Sequence, residues 1–389
     1  MTTRVVIVGA SLAGVRTAAA LRREGFEGAI TVIGDESHPP YDRPPLSKQI
    51  LMGKWGPEKI GLLTDAAHAD LHAEWLLGSP AVALRSDGSQ HVVTLQNNSE
   101  VTADIVVIAT GTRARRLPFA ADQQLFAVRT LDDTLALLNA IERTDTGARV
   151  AIIGAGFIGA EVATALHSRD LVPVVYETQP RPLNAVLGET AARWLEGLPA
   201  AAGIEVRVNQ TISDVVGATG GISVVTADGS DDYAFGVLGV GALANTEWLA
   251  NSPVTINRGV AVNESLQAAP GIYAVGDVAE FPFERAGRRD VVRIEHWQIA
   301  NDHATYVAQH ICGNASERFA TVPYFWSDQY GKKIQMLGHP SPTDTIEMVQ
   351  GSVEDAKWLA YYRHNNVITG VLALNNAREL MLARPLLED

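Results

Sequence analysis

"RVVIVGASLAGVRTAAAL" at residues 4–21 and "RVAIIGAGFIGAEVATAL" at residues 149–166 decide the fold. Each runs from an apolar stretch into a glycine-rich turn and on into small apolar residues, and the two agree in pattern position by position. In the second, Val150–Ile153 has the unbroken apolar character of a buried parallel strand. Gly154, Gly156 and Gly159 then spell G-x-G-x-x-G, and Ala160–Leu166 continues as a helix. The order strand, glycines, helix separates a dinucleotide-binding turn from a chance match. Its glycines permit the tight turn, the approach of backbone N–H groups to a pyrophosphate, and the close packing of helix on strand. The helix start adds about half a positive charge facing the phosphates.

The strand after the second turn, Val172–Tyr176, ends at Glu177, about the 20 residues on at which such folds carry their ribose-binding acid. A carboxylate there accepts bonds from the 2′- and 3′-hydroxyls and repels a 2′-phosphate, so NADH is favoured over NADPH. Arg181, four residues further, is a cation able to pair with that phosphate and works against the preference. The first turn reads Gly9, Ser11, Gly14, with serine in place of the middle glycine, and the strand after it, Ile30–Ile33, leads into Gly34, Asp35 and Glu36. Two such turns imply two dinucleotides. The economical pair is FAD on one and a nicotinamide on the other, because a flavin relays what a nicotinamide delivers.

The rest of the composition narrows the field. With 389 residues the chain exceeds one ordinary hydrophobic core, so two or three domains are expected. Apolar residues at 47% against 19% charged describe a globular protein, and 34 glycines suit tight turns and backbone close to ligands. A net charge of -13 excludes general nucleic-acid affinity, which needs a dominant basic surface. Cys312 is the single cysteine, which rules out an intramolecular disulfide, a CxxC redox pair and a cysteine zinc site. No apolar run reaches the roughly 18 to 20 residues of a membrane helix. The apolar start Val5–Val8 breaks at Gly9 without the layout of a cleavable signal, so a cytoplasmic location with no membrane association is expected.

Between the turns, the apolar stretch Val101–Ile108 reads as one strand, and Ala109-Thr110-Gly111 followed by Arg113, Arg115, Arg116 and Pro118 marks an exit from the first domain. A comparable strand, Phe235–Val240, precedes Gly241, and the first domain resumes near Asn245. The expected fold class is α/β: two Rossmann-like dinucleotide-binding domains, one inserted in the other, plus a C-terminal α+β domain. The boundaries are 1–113 with 244–321 for FAD, 114–243 for NADH and 322–389 for the C-terminal domain. In the resumed part, "GIYAVGDVAEF" at 271–281 carries Asp277 at a strand end, where open α/β sheets bind ligands. Lys333–Leu337, Thr345–Val349, Trp358–Tyr362 and Val367–Leu374 read as antiparallel strands, and Ala377–Leu382 as a short helix.

With these pieces placed, the chain resembles the NADH-dependent ferredoxin reductases of bacterial oxygenase systems, themselves glutathione-reductase-like FAD/NAD flavoproteins. The resemblance spans essentially the whole chain and is carried by "YDRPPLSK" at 41–48, "ATG" at 109–111, "GAGFIGAE" at 154–161, "GIYAVGDVA" at 271–279 and "PYFWSDQYG" at 323–331. It implies that Gly9, Ser11, Gly14 and Asp35 meet the phosphates and ribose of FAD. It further implies that Lys48, Arg129, Asp277, Glu295 and Trp297 contact FAD elsewhere and that Val82 offers its backbone to the adenine. Gly154, Gly156, Gly159 and Glu177 correspond to the NADH site, Glu161 to a residue near the nicotinamide, and Trp326 to an aromatic near the flavin ring. Lys48, Glu161 and Trp326 are the candidate catalytic residues; no metal is implied. Ala244 stands where the family commonly has proline and His296 where it has a smaller residue.

The implied activity is hydride transfer from NADH to FAD, followed by release of single electrons to a [2Fe-2S] ferredoxin. Ordinary explanations stand beside these roles. A lysine in a proline-rich loop is usually solvated, a glutamate early in a helix serves the dipole, and tryptophans fill cores. The missing cysteines exclude the disulfide, thioredoxin and peroxide reductases of the same fold, which need a redox cysteine; the loop around Pro44–Lys48, where several of them carry it, has none. Rival readings are a rubredoxin reductase, an NADH oxidase or quinone reductase, and a redox-sensing binding protein like apoptosis-inducing factor. An acidic ferredoxin calls for local positive charge, for which Arg113, Arg115 and Arg116, Arg288 and Arg289, and Lys332 with Lys333 are the clusters present.

Overall fold

The computed structural model describes residues 3–87, 90–119 and 124–388. It divides into two compact units, one of residues 1–42, 60–113 and 243–325, the other of residues 43–59, 114–242 and 326–389.

The first unit is built on a six-stranded sheet in the order Gln267–Ala269, Ile272–Ala274, Ile105–Ile108, Arg4–Val8, Ala29–Ile33, Ala73–Leu76. All pairs are parallel except the antiparallel edge formed by Gln267–Ala269. Successive side chains of a strand point to opposite faces, and both faces here are covered. Val5 and Ile7 pack with Leu21, Ile299 and Val307 from the helices Leu12–Arg23 and Trp297–Cys312, while Val6 and Val8 pack with Leu84 and Val93 on the other side. That two-sided burial is why these strands carry no polar alternation.

Val101–Ile108 is not one strand. It divides into Glu100–Ala103, which pairs antiparallel with His91–Leu95 in a separate three-stranded sheet, and Ile105–Ile108, which enters the parallel sheet. Asp104 is the pivot: its carboxylate accepts the Arg4 backbone N–H at 2.8 Å and its own N–H donates to the Arg4 carbonyl at 3.0 Å. These bonds, the Arg4 N–H first among them, hold the Asp104 carboxyl below the usual carboxylate range.

The second unit repeats the plan. Its five-stranded sheet, in the order Glu205–Arg207, Val172–Tyr176, Arg149–Ile153, Gly236–Leu238, Leu125–Phe126, is parallel throughout. The register is the same as in the first: Arg149 to Ile153 face Val172 to Tyr176 residue for residue, as Arg4 to Val8 face Ala29 to Ile33. One sheet face packs on the antiparallel strands Ile212–Ala218, Gly221–Thr226 and Gly229–Tyr233 through Ile153, Val174, Val215, Ile222 and Val224.

The C-terminal antiparallel sheet has the order Tyr324–Gln329, Lys332–Gly338, Val367–Leu374, Lys357–His364, Thr345–Ser352, and the helix Ala377–Leu382 follows it. The strands expected there from alternation are present, each longer than the sequence pattern by up to three residues except Val367–Leu374, which is unchanged. The strand expected at Phe235–Val240 is shorter, Gly236–Leu238. The fold class is the expected one: α/β with two parallel dinucleotide-binding sheets and a separate C-terminal antiparallel domain.

Candidate functional site

Both glycine turns form, and they agree in their contacts. In the first, the Gly9 N–H donates to the Ile33 carbonyl at 2.7 Å; in the second, the Gly154 N–H donates to Tyr176 at 2.8 Å. A Cβ at Gly9 would lie 2.2 Å from the Ala109 carbonyl oxygen, and one at Gly154 would lie 2.4 Å from that of Gly239. Both residues also have positive φ, +123° and +102°, a region that side chains disfavour. The third glycine is the packing residue. At Gly14 an added Cβ would come within 1.9 Å of the Gly9 oxygen, and at Gly159 within 2.0 Å of the Gly154 oxygen.

The middle position differs. Ser11 (φ −102°, ψ −165°) and Gly156 (φ −74°, ψ −176°) are the residues preceding the helices Leu12–Arg23 and Phe157–His167, both in extended conformation. A Cβ on Gly156 would meet nothing closer than 3.9 Å. Neither fold nor backbone therefore requires glycine there.

Neither of these helices has a capping side-chain bond or an acid in its first turn, and the same is true of Trp297–Cys312. Leu131–Glu142, in contrast, has a complete capping box from Thr130 and Asp133 plus Asp132 in its first turn. A helix start needs partners for its first N–H groups. Leaving them without a side-chain cap at both glycine turns fits phosphate oxygens as the acceptors.

In the first unit Asp35 is exposed after its strand, with Oδ1 accepting the Glu36 N–H at 3.0 Å. Asp277 sits in a single turn of 3-10 helix after Ile272–Ala274; Thr112 Oγ1 donates to its Oδ2 at 3.3 Å, and Arg293 to its carbonyl at 3.1 Å. The N–H of Gly276 donates to Nδ1 of His303 at 3.1 Å. His303 is fully buried, which pushes its pKa down to about 3. Trp297 opens its helix and donates from Nε1 to Asp42 at 2.8 Å, while Glu295 is exposed and paired with Arg293 at 2.6 Å. Val82 is exposed, at the irregular register between Ala81 and Ala83.

In the second unit Lys48 lies in one turn of π-helix, Leu46–Ile50, and is 7% exposed. Its Nζ donates to Glu161 Oε2 at 2.7 Å and to the Pro44 carbonyl at 3.3 Å. Glu161, 3% exposed, also accepts from Ser47 Oγ on Oε2 and from Ser327 Oγ on Oε1, each at 2.6 Å; Gln329 Nε2 in turn donates to Ser327 at 3.1 Å. A buried ion pair persists only when such added bonds satisfy its remaining atoms. Of the three donors on Lys48, two are used among the described residues, which leaves one for a ligand. Trp326 precedes Ser327 on the same strand, half-buried and on the opposite face. The carbonyl of Arg129 accepts from Arg43 at 2.6 Å, just before Thr130 caps the next helix.

Glu177 is placed where the ribose-binding acid was expected. Its Oε2 accepts the Ala155 N–H of the turn at 2.9 Å and its Oε1 accepts the Gln179 N–H at 2.8 Å. Arg181 pairs with Glu196 at 2.6 Å and with Glu189 at 3.8 Å.

Several basic side chains proposed for docking already have acidic neighbours. Arg113 pairs with Glu247, Arg116 with Asp133, Arg289 with Glu264 and Lys333 with Asp328. Cys312 ends the helix Trp297–Cys312, and burial raises its pKa. No group of His, Cys, Asp and Glu able to hold a metal occurs among the described residues. No helix among them is long and apolar enough to cross a membrane. Sequence reasoning missed Ser47, Ser327, Gln329, Thr112, Asp42 and His303. Asp42 and Ser47 lie within the stretch 41–48, Ser327 and Gln329 within 323–331, and Thr112 directly follows 109–111, so of these only His303 had no adjacent signal.

Comparison with known proteins agrees over the full length. The family model for pyridine nucleotide-disulphide oxidoreductases matches residues 3–304, and a reductase C-terminal model matches residues 324–389. Rhodocoxin reductase of Rhodococcus erythropolis is 31% identical, covering 98% of this chain and 89% of that protein. The ferredoxin--NAD(+) reductase subunit of the benzene 1,2-dioxygenase system of Pseudomonas putida is 33% identical, covering 100% and 93%. The crystal structure of a covalent putidaredoxin reductase–putidaredoxin complex superimposes with a TM-score of 0.91 at 30% identity, over 99% of this chain and 93% of that one.

Proposed function

The chain belongs to the pyridine nucleotide-disulphide oxidoreductase family, and on that premise we propose that it is an FAD-dependent NADH:ferredoxin oxidoreductase serving an oxygenase, located in the cytoplasm. The observation that carries this reading is the pair of glycine turns with uncapped helix starts in a chain with a single cysteine. Two dinucleotides are provided for, and the sulfur chemistry that gives the family its name has no residues to perform it. The remaining redox partner is then an external one-electron carrier, a [2Fe-2S] ferredoxin.

FAD, when bound, supplies the exchange between two electrons arriving together and single electrons leaving. Gly9, Ser11 and the start of Leu12–Arg23 receive its phosphates, with Asp35 on the ribose and Asp277, Glu295 and Trp297 on the remainder; Val82 keeps the adenine role that the resemblance implies. Lys48 and Arg129 are its cations. Nζ of Lys48 is held by Glu161, whose carboxylate also accepts from the Ser47 and Ser327 hydroxyls, so the lysine is fixed in place for the reduced ring. Glu161 also ties the Lys48 turn to the helix that begins at the second glycine turn, so binding at that turn is felt at Lys48. Trp326 supplies an aromatic wall that excludes water. Gly154, Gly156, Gly159 and Glu177 take NADH. The domain division into 1–113 with 244–321, 114–243 and 322–389 is part of the same proposal.

The test is NADH-driven cytochrome c reduction by the purified protein with and without added [2Fe-2S] ferredoxin. A strong acceleration by ferredoxin is expected. Equal rates would overturn the electron-transfer role and leave the oxidase or redox-sensing readings.

A further inference from the structure

We infer that Glu196, assisted by Glu189, sets the preference for NADH over NADPH by holding the Arg181 guanidinium away from the ribose 2′ position. The inference rests on the reading of the second glycine turn as the NADH site and concerns which nicotinamide that site accepts.

The loop leaving Val172–Tyr176 carries both an acid and a base. Glu177 is fixed by two backbone N–H groups, those of Ala155 and Gln179, so its carboxylate is held in one orientation, against which a 2′-phosphate would be repelled. Arg181 is the loop's own remedy for that charge, since a guanidinium binds phosphate through two parallel bonds. The structure commits it elsewhere. Its Nε donates to Glu196 Oε2 at 2.6 Å and its Nη1 lies 3.8 Å from Glu189 Oε1, an oxygen that Arg193 also holds at 2.7 Å.

The surroundings keep the side chain there. Arg181 lines a cavity of about 270 Å³ with Pro180, Pro182, Pro199 and Val206, and Glu196 stands at the same cavity. The aliphatic stem thus packs along apolar walls while the charged head turns to the glutamate. The arginine is 26% exposed and its partners 47% and 64%. Pairs this exposed add little to stability, so releasing the arginine leaves the fold intact. Glu196 and Glu189 belong to the helical stretch after the loop and make no contact with the glycine turn among the bonds described, which separates their effect from binding of the common part of both coenzymes.

The experiment compares the wild-type holoenzyme with Glu196→Gln, with Glu196→Gln/Glu189→Gln, and with each combined with Arg181→Gln. Two readouts are taken: kcat/KM for NADPH and NADH with ferricyanide as acceptor, and competitive inhibition by 2′-phospho-AMP and by 5′-AMP. Releasing Arg181 is expected to raise kcat/KM for NADPH and tighten 2′-phospho-AMP binding by about fivefold, the upper limit for freeing a guanidinium from pairs this exposed. NADH and 5′-AMP should change by less than about twofold, as expected for surface substitutions away from the shared contacts. Adding Arg181→Gln should cancel the gain. No gain in either readout, or a gain that survives Arg181→Gln, overturns the inference while NADH oxidation by the wild type stands. A wild-type protein that neither oxidises NADH nor binds 5′-AMP overturns the NADH reading and this inference with it.

Discussion

The two glycine turns are the same object in backbone and, among their three glycine positions, differ at one. Strand register, the bond from the first glycine to the neighbouring strand, and the forbidden Cβ positions at the first and third glycines all coincide. Where they part, at Ser11 and Gly156, the conformation is open to any residue. The outer glycines are thus required by the protein itself, and the middle one only by what approaches it.

The largest effects should come where the turns agree. Gly14→Ala and Gly159→Ala each force a methyl to within about 2 Å of a carbonyl oxygen and should lower unfolding free energy by about 3 kcal/mol, the upper end of overpacking costs. Gly156→Ser, which copies Ser11, should change it by less than about 0.5 kcal/mol. Chemical denaturation of the three variants reads this directly, and a Gly156→Ser loss as large as that of Gly159→Ala would erase the distinction.

A smaller effect concerns what only the first unit has. Nδ1 of His303 accepts from Gly276 and its ring packs against Phe281 and Phe319, each centroid 4.7 Å away, with Nε2 buried and unpartnered among the described residues. Burial lowers its folded pKa to about 3 from the ordinary imidazole value of about 6.5. Between those values the unfolded chain binds the extra proton, so stability falls as pH drops below about 6.5 and the loss continues toward about 3. At about 1.4 kcal/mol per pH unit, the penalty by pH 5 is about 2 kcal/mol. His303→Gln should flatten that part of the wild-type stability profile; parallel profiles would show that His303 takes up its proton in the folded state.

Much of this was legible in the sequence because it is local. The repeat, the strand ending at Glu177, the Gly276-Asp277 turn and four of the five C-terminal strands announce themselves by apolar pattern and glycine spacing, whereas the strand Tyr324–Gln329 does not. What was not legible depends on distant partners. Nothing in Val101–Ile108 marks Asp104 as a pivot, since its reason is the Arg4 backbone. Lys48 sits in a stretch that reads as solvated loop and is buried because Glu161, 113 residues away, accepts its proton bond; Ser327 reaches the same carboxylate from 166 residues away. Arg181 was visible as a cation beside Glu177, but its commitment to Glu196 was not, because that glutamate lies beyond a further helix. The resemblance supplied roles for Lys48 and Glu161 that residue patterns alone could not.

The central claim is that the first turn holds the flavin and the second receives the nicotinamide, and its most direct test places the same carboxylate at the position where they differ. Ser11→Glu and Gly156→Glu are purified and measured for FAD per chain and for bleaching of the yellow colour by NADH and by dithionite. The account predicts a colourless Ser11→Glu protein, and a fully yellow Gly156→Glu protein that dithionite bleaches and NADH does not. A Gly156→Glu protein that loses its flavin, or a Ser11→Glu protein that keeps it, would contradict the assignment.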